Sequence, residues 1–170
     1  MTLDNKVRNT DFSNYRNVTV MEADQQRPED LLRTVEHHFG RPICLVIEDA
    51  SHVGVLSKLT FDVIFPVVRP GGAYFVEDWG TGYWDSWPDG SRMQSFPLSF
   101  DGGYIPKVLP SHNFGMVGFV KPLVELTHET AIKRNQSDDS SKISRIEVLE
   151  FGEGVCMAKK SLVSTIAPPK

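Results

Sequence analysis

Two pairs of neighbouring acids stand where apolar runs end, and these four residues are the strongest candidates for chemistry. Glu48 and Asp49 follow the run Ile43–Ile47, and Glu77 and Asp78 follow the run Ala73–Val76. Short runs of branched apolar residues indicate parallel strands that are covered on both faces. Ligands of open α/β sheets bind at the carboxyl ends of the strands. Both acid pairs are therefore predicted to lie at a ligand site.

Three of these carboxylates have the donor chemistry of a metal site. If the two strands are neighbours, Asp49, Glu77 and Asp78 converge at one rim of the sheet. Carboxylates so close together repel each other unless a cation or protons neutralise them. Because the donors are oxygens and no thiol is near, the expected ion is a hard divalent cation, with magnesium favoured. The alternative is that the acids cap helices and solvate loop ends.

His52 stands three residues after Asp49 and is the candidate general base. An imidazole can accept a proton near neutral pH, and a nearby cation raises the acidity of a hydroxyl that it holds. The alternative for a histidine near a helix start is a surface or packing role. The neighbouring acids distinguish His52 from the other histidines.

Alternating strands and helices are predicted to position these side chains. The pattern gives strands at 17–24, 43–47 and 73–76 and helices at 27–39 and 53–65, with a tight RPGG turn before the third strand. This alternation of strands and helices predicts parallel βαβ units in an α/β fold. Pro122 is expected to kink or split a later helix, and a polar loop at 133–142 precedes an antiparallel hairpin within 143–160.

Composition favours one domain, at 1–160, followed by a flexible tail at 161–170. The 170 residues carry a net charge of −4 without a basic stripe, so no nucleic-acid surface is expected. No apolar run approaches the ~18 residues that span a bilayer. Cys44 and Cys156 lie in apolar stretches and are expected to be core residues of a reduced protein. A cytoplasmic location is the expectation.

Three segments, LVIEDASH, FPVVRPGGAYFVEDWGTGYW and SHNFGMVGFVKPLVE, occur in this order and carry a family resemblance. They resemble the metal-dependent class I S-adenosylmethionine O-methyltransferases that act on macrolide sugars, the mycinamicin type, from Val18 to Lys160. The resemblance implies a Rossmann-like sheet, with S-adenosylmethionine and Mg²⁺ as cofactors. It implies Asp49, Glu77 and Asp78 as metal ligands and His52 as the general base.

The cofactor-binding residues are implied by the same resemblance. The segment EADQ is similar to a GDQ motif that lies beside the adenine in the family, which indicates Asp24 and Gln25. By position, Asp4 corresponds to the family's ribose-binding acid. The family's glycine-rich turn has no counterpart in this sequence, so an incomplete sheet is expected. We expect a homo-oligomer, a partner chain or residues 1–16 to cover the resulting edge.

The aromatic residues Tyr83, Trp84 and Trp87 follow the second acid pair in a loop rich in glycine and proline. They are candidates for covering a sugar or macrolide substrate, and packing within the protein is the alternative. The function predicted from the resemblance is magnesium-dependent O-methylation of a hydroxyl on a sugar or glycosylated natural product. The alternatives are a noncatalytic methyltransferase-like remnant or binding partner, and a metal enzyme of another chemistry, such as a hydroxylase-like relative.

Overall fold

Two groups of strands form the framework of the computed structural model, which describes residues 2–4, 16–39, 42–92, 112–135 and 145–162. Strands β1 (Thr2–Asp4) and β2 (Val20–Glu22) pair in parallel. The second sheet has the order β3-β4-β6-β5. Its strands are β3 (Ile43–Glu48), β4 (Val68–Glu77), β5 (Ile146–Phe151) and β6 (Val155–Lys160).

Strand directions in the larger sheet place the two acid pairs on one rim. β3 and β4 are parallel neighbours, with Glu48 in register with Val76. β6 runs antiparallel to both β4 and β5. The predicted βαβ unit and the predicted antiparallel hairpin are therefore confirmed, and the fold is α/β with a mixed sheet.

Six α-helices lie in the described residues. They are α1 (Pro28–Phe39), α2 (Gly54–Ile64), α3 (Pro88–Arg92), α4 (Gly115–Val120), α5 (Leu123–Thr127) and α6 (Glu129–Asn135). Pro122 stands between α4 and α5, so the predicted split is confirmed. None of the described helices has the length and apolar character needed to cross a membrane.

The core lies between the larger sheet and the helices α1, α2, α4 and α5. The rings of Phe61 and Phe65 stack at 4.6 Å, and Tyr74 and Phe119 meet the Phe61 ring edge-on. Aromatic pairs in these orientations stabilise the core by more than the burial of their apolar area alone provides. The buried hydrophobic cluster comprises Leu31, Val35, Ile43, Phe61, Ile64, Phe65, Val68, Tyr74, Val76, Met116, Phe119, Val120, Leu123, Ile146, Cys156 and Ala158.

The predicted burial of β3 on both faces is wrong. Leu45 and Ile47 are 53% and 59% exposed, while Val46 packs against the core. Leu45 and Ile47 alternate with Val46 along the strand, so they share one face of β3, and that face is exposed. Cys44 is also exposed, which contradicts its predicted core position, whereas Cys156 is buried as predicted.

The RPGG segment lies within β4 and does not form a turn before it, which corrects another prediction. The strand begins at Val68, and Gly71 adopts φ 72° inside it. A Cβ on Gly72 would come within 2.9 Å of the Cys44 carbonyl oxygen. Glycine therefore lets the two backbones approach where the register shifts, between Ile43 and Leu45.

Three other predicted segments differ in extent. The strand predicted at 17–24 is reduced to β2. Residues 136–142 of the predicted polar loop and residues 163–170 of the predicted tail lie outside the described residues.

Candidate functional site

The sheet rim brings together side chains from the ends of β3 and β4. Asp49 and Asp78 each follow the last residue of their strand. One ligand atom from each of Asp49, His52 and Asp78 lies within 4.8 Å of the others. The two carboxylates are exposed and the imidazole is buried. We call these three residues the rim cluster.

Two members of the rim cluster adopt strained backbone conformations. His52 has φ 50° and Asp78 has φ 51°, and they are the only positive-φ residues other than glycine in the described parts of the chain. A side chain in this region costs of order 1–3 kcal/mol and persists only where the surrounding structure enforces it. Both strained positions therefore coincide with the predicted site.

The His52 side chain is fixed between an acid and an aromatic ring. Its Nε2 lies 3.5 Å from Asp49 Oδ1, and its ring meets Trp87 edge-on at 4.9 Å. This distance suits an ion pair but is too long for a normal hydrogen bond. The indole limits the access of water to the imidazole, while the Asp49 carboxylate remains open to solvent.

Glu77 lies outside the rim cluster, although it was predicted as a metal ligand. It is the last residue of β4, is half-buried, and is in register with Val155 of β6. Side chains alternate between the faces of a strand, so neighbouring acids leave it in different directions. The left-handed backbone of Asp78 directs that residue to the rim. The structure thus brings together two of the three predicted carboxylate ligands.

Glu48, the acid that precedes Asp49, is buried and was not predicted to be a metal ligand. Its Oε1 accepts hydrogen bonds from Gln25 Nε2 at 2.9 Å and Ser57 Oγ at 3.1 Å, whereas the buried Oε2 has no partner among the described residues. Burial raises the pKa of this carboxyl, and the two hydrogen bonds partly offset that effect.

The predicted cofactor residues lie along the ends of β1 and β2. Asp24 is half-buried and accepts a hydrogen bond from the Gln26 amide at 2.9 Å. Gln25 donates to Thr60 Oγ1 at 3.1 Å as well as to Glu48, which links this loop to β3 and α2. The backbone of Asp4 is in register with Glu22.

The three predicted substrate aromatics have different environments. Trp87 packs on His52, and Trp84 is exposed. Tyr83 contacts the rings of Trp79 and His112. Burial and the charge of Lys121 lower the pKa of His112. Of these three aromatic residues, Trp87 is the one whose ring packs against a ring of the rim cluster.

Sequence relatives of the chain are sugar and macrolide O-methyltransferases, although no protein-family model matches it. It is 39% identical over 75 residues to L-olivosyl-oleandolide 3-O-methyltransferase of Streptomyces antibioticus. It is 36% identical over 106 residues to 8-demethyl-8-alpha-L-rhamnosyl tetracenomycin-C 2'-O-methyltransferase of Streptomyces olivaceus. The matches cover 43% and 62% of this chain but only 19% and 23% of those proteins. The resemblance to sugar O-methyltransferases is confirmed.

A solved methyltransferase structure shares the fold. MycE methyltransferase from the mycinamycin biosynthetic pathway, in complex with Mg and SAH, superposes with a TM-score of 0.64 at 24% identity. The match covers 94% of this chain and 36% of MycE. This likeness confirms the predicted methyltransferase-type α/β fold.

Asp89 is a further buried acid that the sequence analysis did not single out. It is 3% exposed, and its Oδ2 accepts hydrogen bonds from the Gly54 amide at 2.7 Å and the Met116 amide at 2.8 Å. These partners come from distant segments, so residue type and spacing carry no signal for the contact.

Proposed function

We propose that the chain contributes to an S-adenosylmethionine-dependent, Mg²⁺-dependent O-methyltransferase that acts on a hydroxyl of a sugar or glycosylated natural product. The observation that carries the proposal is the rim cluster, which combines two exposed carboxylates with a buried imidazole. The names of the sequence relatives support the reaction and the acceptor class. Because the chain spans less than a quarter of the length of those two relatives, the activity is a proposal for this chain.

The rim cluster fits a hard divalent cation. Asp49 and Asp78 present oxygen donors on the exposed rim, and no described lysine or arginine forms an ion pair with either of them. Bound Mg²⁺ would neutralise the two charges, hold the acceptor hydroxyl and raise its acidity. We propose Asp49 and Asp78 as ligands. Glu77 remains a predicted third ligand.

His52 is proposed to act as the general base through Nε2. It accepts the proton of the acceptor hydroxyl while the oxygen forms a bond to the methyl carbon. S-adenosylmethionine, when bound, would supply the methyl group, and the electron pair of the broken carbon–sulfur bond would stay on the sulfur of S-adenosylhomocysteine. Trp87 limits access of water to the imidazole. Holding the two reactants in line contributes much of the acceleration.

We propose Asp4, Asp24 and Gln25 as cofactor-binding residues. Their proximity to the ends of β1 and β2 and the Gln25–Glu48 hydrogen bond support this assignment, because they connect the segment to the strand that carries Asp49. The related MycE structure contains Mg and SAH. Trp84, Trp87 and Tyr83 are proposed to contact the acceptor.

We propose that a second copy of the chain or another polypeptide covers the edge of β3. Within the described residues, this strand pairs only with β4, and its side chains Leu45 and Ile47 are exposed. Unpaired strand edges bind other strands. A cytoplasmic location and the absence of nucleic-acid and membrane partners remain predictions.

The proposed function is tested by calorimetric titration of the chain with S-adenosylmethionine and with Mg²⁺. We expect a cofactor dissociation constant below about 1 mM, the upper end of ordinary Michaelis constants. Replacing both rim carboxylates, in Asp49→Asn with Asp78→Asn, should abolish Mg²⁺ binding. Asp85→Asn, an exposed acid in the next loop, is the matched control.

Methyl transfer is then measured with a panel of glycosylated acceptors. Transfer that requires Mg²⁺ and both rim carboxylates supports the proposal. Failure to bind cofactor at millimolar concentration, or methylation that is insensitive to the double substitution, contradicts it.

A further inference from the structure

We infer that Asp89 is a positioning residue that caps two helices at once. It thereby fixes the turn that carries Asp49 and His52, called the His52 turn, against the loop that carries Trp84 and Trp87, called the aromatic loop. The inference concerns the arrangement of the proposed site and rests on the proposed function for its catalytic consequence. Asp89 lies outside the rim cluster and has no proposed contact with metal, cofactor or acceptor.

The first step is that both helices lack a side-chain cap of their own. The N-cap residues are Val53 for α2 and Phe114 for α4, and neither supplies a side-chain hydrogen bond. Asp89 Oδ2 accepts a hydrogen bond from Gly54, the first residue of α2, and from Met116, the second residue of α4. A carboxylate at a helix N-terminus satisfies free amides and interacts favourably with the helix dipole.

The second step is that the capping bond lies beside the His52 contact. His52 meets Trp87, and two residues further along each segment Gly54 bonds to Asp89. The segments 52–54 and 87–89 are therefore joined by one ring contact and one hydrogen bond. Asp89 anchors Trp87 and the start of α2 in the same place.

The third step is that the junction has no free space. A Cβ on Gly54 would lie 2.0 Å from the Gly115 carbonyl carbon, and a Cβ on Gly115 would lie 2.4 Å from the Asp89 carboxyl carbon. Such distances are far below van der Waals contact. The Asp89 carboxylate is thus held in one position between the two backbones. Because it bonds to the Gly54 amide, it also fixes the position of the His52 turn.

Weakening the cap is expected to loosen the His52 turn. His52 holds φ 50°, which is maintained only by its surroundings. If the first turn of α2 relaxes, the turn that carries Asp49 and His52 loses its fixed geometry. Substitution of supporting residues around metal sites typically lowers metal affinity by roughly 10- to 100-fold.

The test compares Asp89→Asn with the exposed-loop control Asp85→Asn. Asparagine keeps the shape of the Asp89 side chain but removes the negative charge to which the Gly54 and Met116 amides donate. The first readout is the nuclear Overhauser contact between the His52 and Trp87 rings, which requires neither metal nor cofactor. The second is the Mg²⁺ dissociation constant by calorimetry.

A third variant separates positioning from general stability. Lys160→Met removes buried hydrogen bonds far from the rim in the sequence and serves as a destabilised comparison. We expect Asp89→Asn alone to lose the ring contact and to weaken Mg²⁺ binding by about 10-fold. An intact ring contact in Asp89→Asn, or an equal loss in Lys160→Met, overturns the inference.

The role of Asp89 can be decided even if the proposed function fails or if Asp89→Asn does not fold. If wild type fails to bind Mg²⁺, the proposed function fails, and the ring contact still decides the role of Asp89. If Asp89→Asn does not fold, amide hydrogen exchange in wild type provides the decision. Slow exchange at both Gly54 and Met116 supports the double cap, and fast exchange at either one overturns it.

Discussion

At the scale of single residues, the role of His52 depends on one nitrogen atom. Its Nε2 lies 3.5 Å from Asp49 Oδ1, and the rim cluster as a whole could place that nitrogen on a metal ion. An imidazole nitrogen that binds a metal has no lone pair left for a proton. The roles of ligand and base at Nε2 are therefore exclusive, and they predict different behaviour of the same variant.

The first prediction is that His52→Ala separates metal binding from turnover. As a general base, His52 contributes roughly 10²-fold or more to the rate, while Mg²⁺ affinity should change by less than about 3-fold. Calorimetry gives the affinity, and initial rates with saturating cofactor give the turnover. The exposed His38→Ala is the control. Loss of metal binding would make His52 a ligand, and Zn²⁺ or Mn²⁺ would then be better suited to the site.

The second prediction concerns the buried acid Glu48. Its pKa is raised from 4.5, so the folded state retains a proton that the unfolded state has released. This contribution to stability is complete below 4.5 and is lost as pH rises through the folded pKa. The free energy of unfolding of wild type, relative to Glu48→Gln, should fall as the pH rises from about 4.5 through the folded pKa of Glu48.

Denaturant unfolding at several pH values, in chelator, measures this difference. Glu36→Gln changes an exposed acid on α1 and should leave the pH dependence of wild type unchanged. Parallel stability profiles for wild type and Glu48→Gln would contradict the prediction.

At the scale of elements, sequence periodicity was enough to predict β3, α2, β4 and the final hairpin. It could not predict which face of a strand the rest of the chain covers, so the exposure of Leu45 was missed. It could not predict which of Glu77 and Asp78 lies in the rim cluster, because the directions of their side chains depend on the left-handed backbone of Asp78. Asp89 was missed because its hydrogen-bond partners become neighbours only on folding.

The third prediction concerns the junction of α2 and α4. Gly115 has φ 58°, and a Cβ there would collide with Asp89. Gly115→Ala should therefore lower the free energy of unfolding by about 2 kcal/mol or more. Gly80→Ala is the matched control, because its Cβ would meet nothing within 4 Å. Equal stability of the two variants in denaturant unfolding would refute the prediction.

The fourth prediction concerns the end of α2. The Lys160 ammonium donates to the carbonyl oxygens of Phe65, Pro66 and Val68 at 3.3, 2.6 and 2.7 Å, and burial lowers its pKa. Lys160→Met should remove the buried ammonium donor from these carbonyl oxygens and lower the free energy of unfolding by about 2 kcal/mol.

The neighbouring Lys159 supplies the comparison. It forms a partly exposed ion pair with Glu147, so Lys159→Met should cost less than about 1 kcal/mol. Thermal or denaturant unfolding measures both variants. A loss at Lys159 as large as that at Lys160 would show that burial of the three bonds is unimportant.

At the scale of the whole molecule, one edge of β3 has no strand partner among the described residues. Strands β1 and β2 pair with each other, and no described strand joins them to β3. Exposed Leu45 and Ile47 add apolar area beside that edge. These features favour association with another chain.

The fifth prediction uses the two thiols to detect that association. At low protein concentration Cys44, which is exposed on β3, should react with a thiol reagent, whereas Cys156 should not. Burial raises the pKa of Cys156 to about 12, so its reactive thiolate is scarce at neutral pH. Labelling is located by mass spectrometry, and mass in solution is followed by ultracentrifugation.

As the protein concentration rises, assembly at this edge should slow the labelling of Cys44. Ile47→Lys places a charge on the open face and should restore both the monomer and the labelling rate. A dimer that forms with Cys44 equally reactive would place the interface elsewhere.

The position of β6 between β4 and β5 has a consequence for synthesis on the ribosome. The β3–α2–β4 unit is contiguous in sequence and can begin to form as soon as it emerges. The second edge of β4, however, pairs with residues Val155 to Lys159 of β6, which are translated much later. Until then the nascent chain exposes an apolar strand to other chains. Slow translation between β4 and β6 should therefore lower the yield of native protein, and a chaperone that shields β4 should restore it.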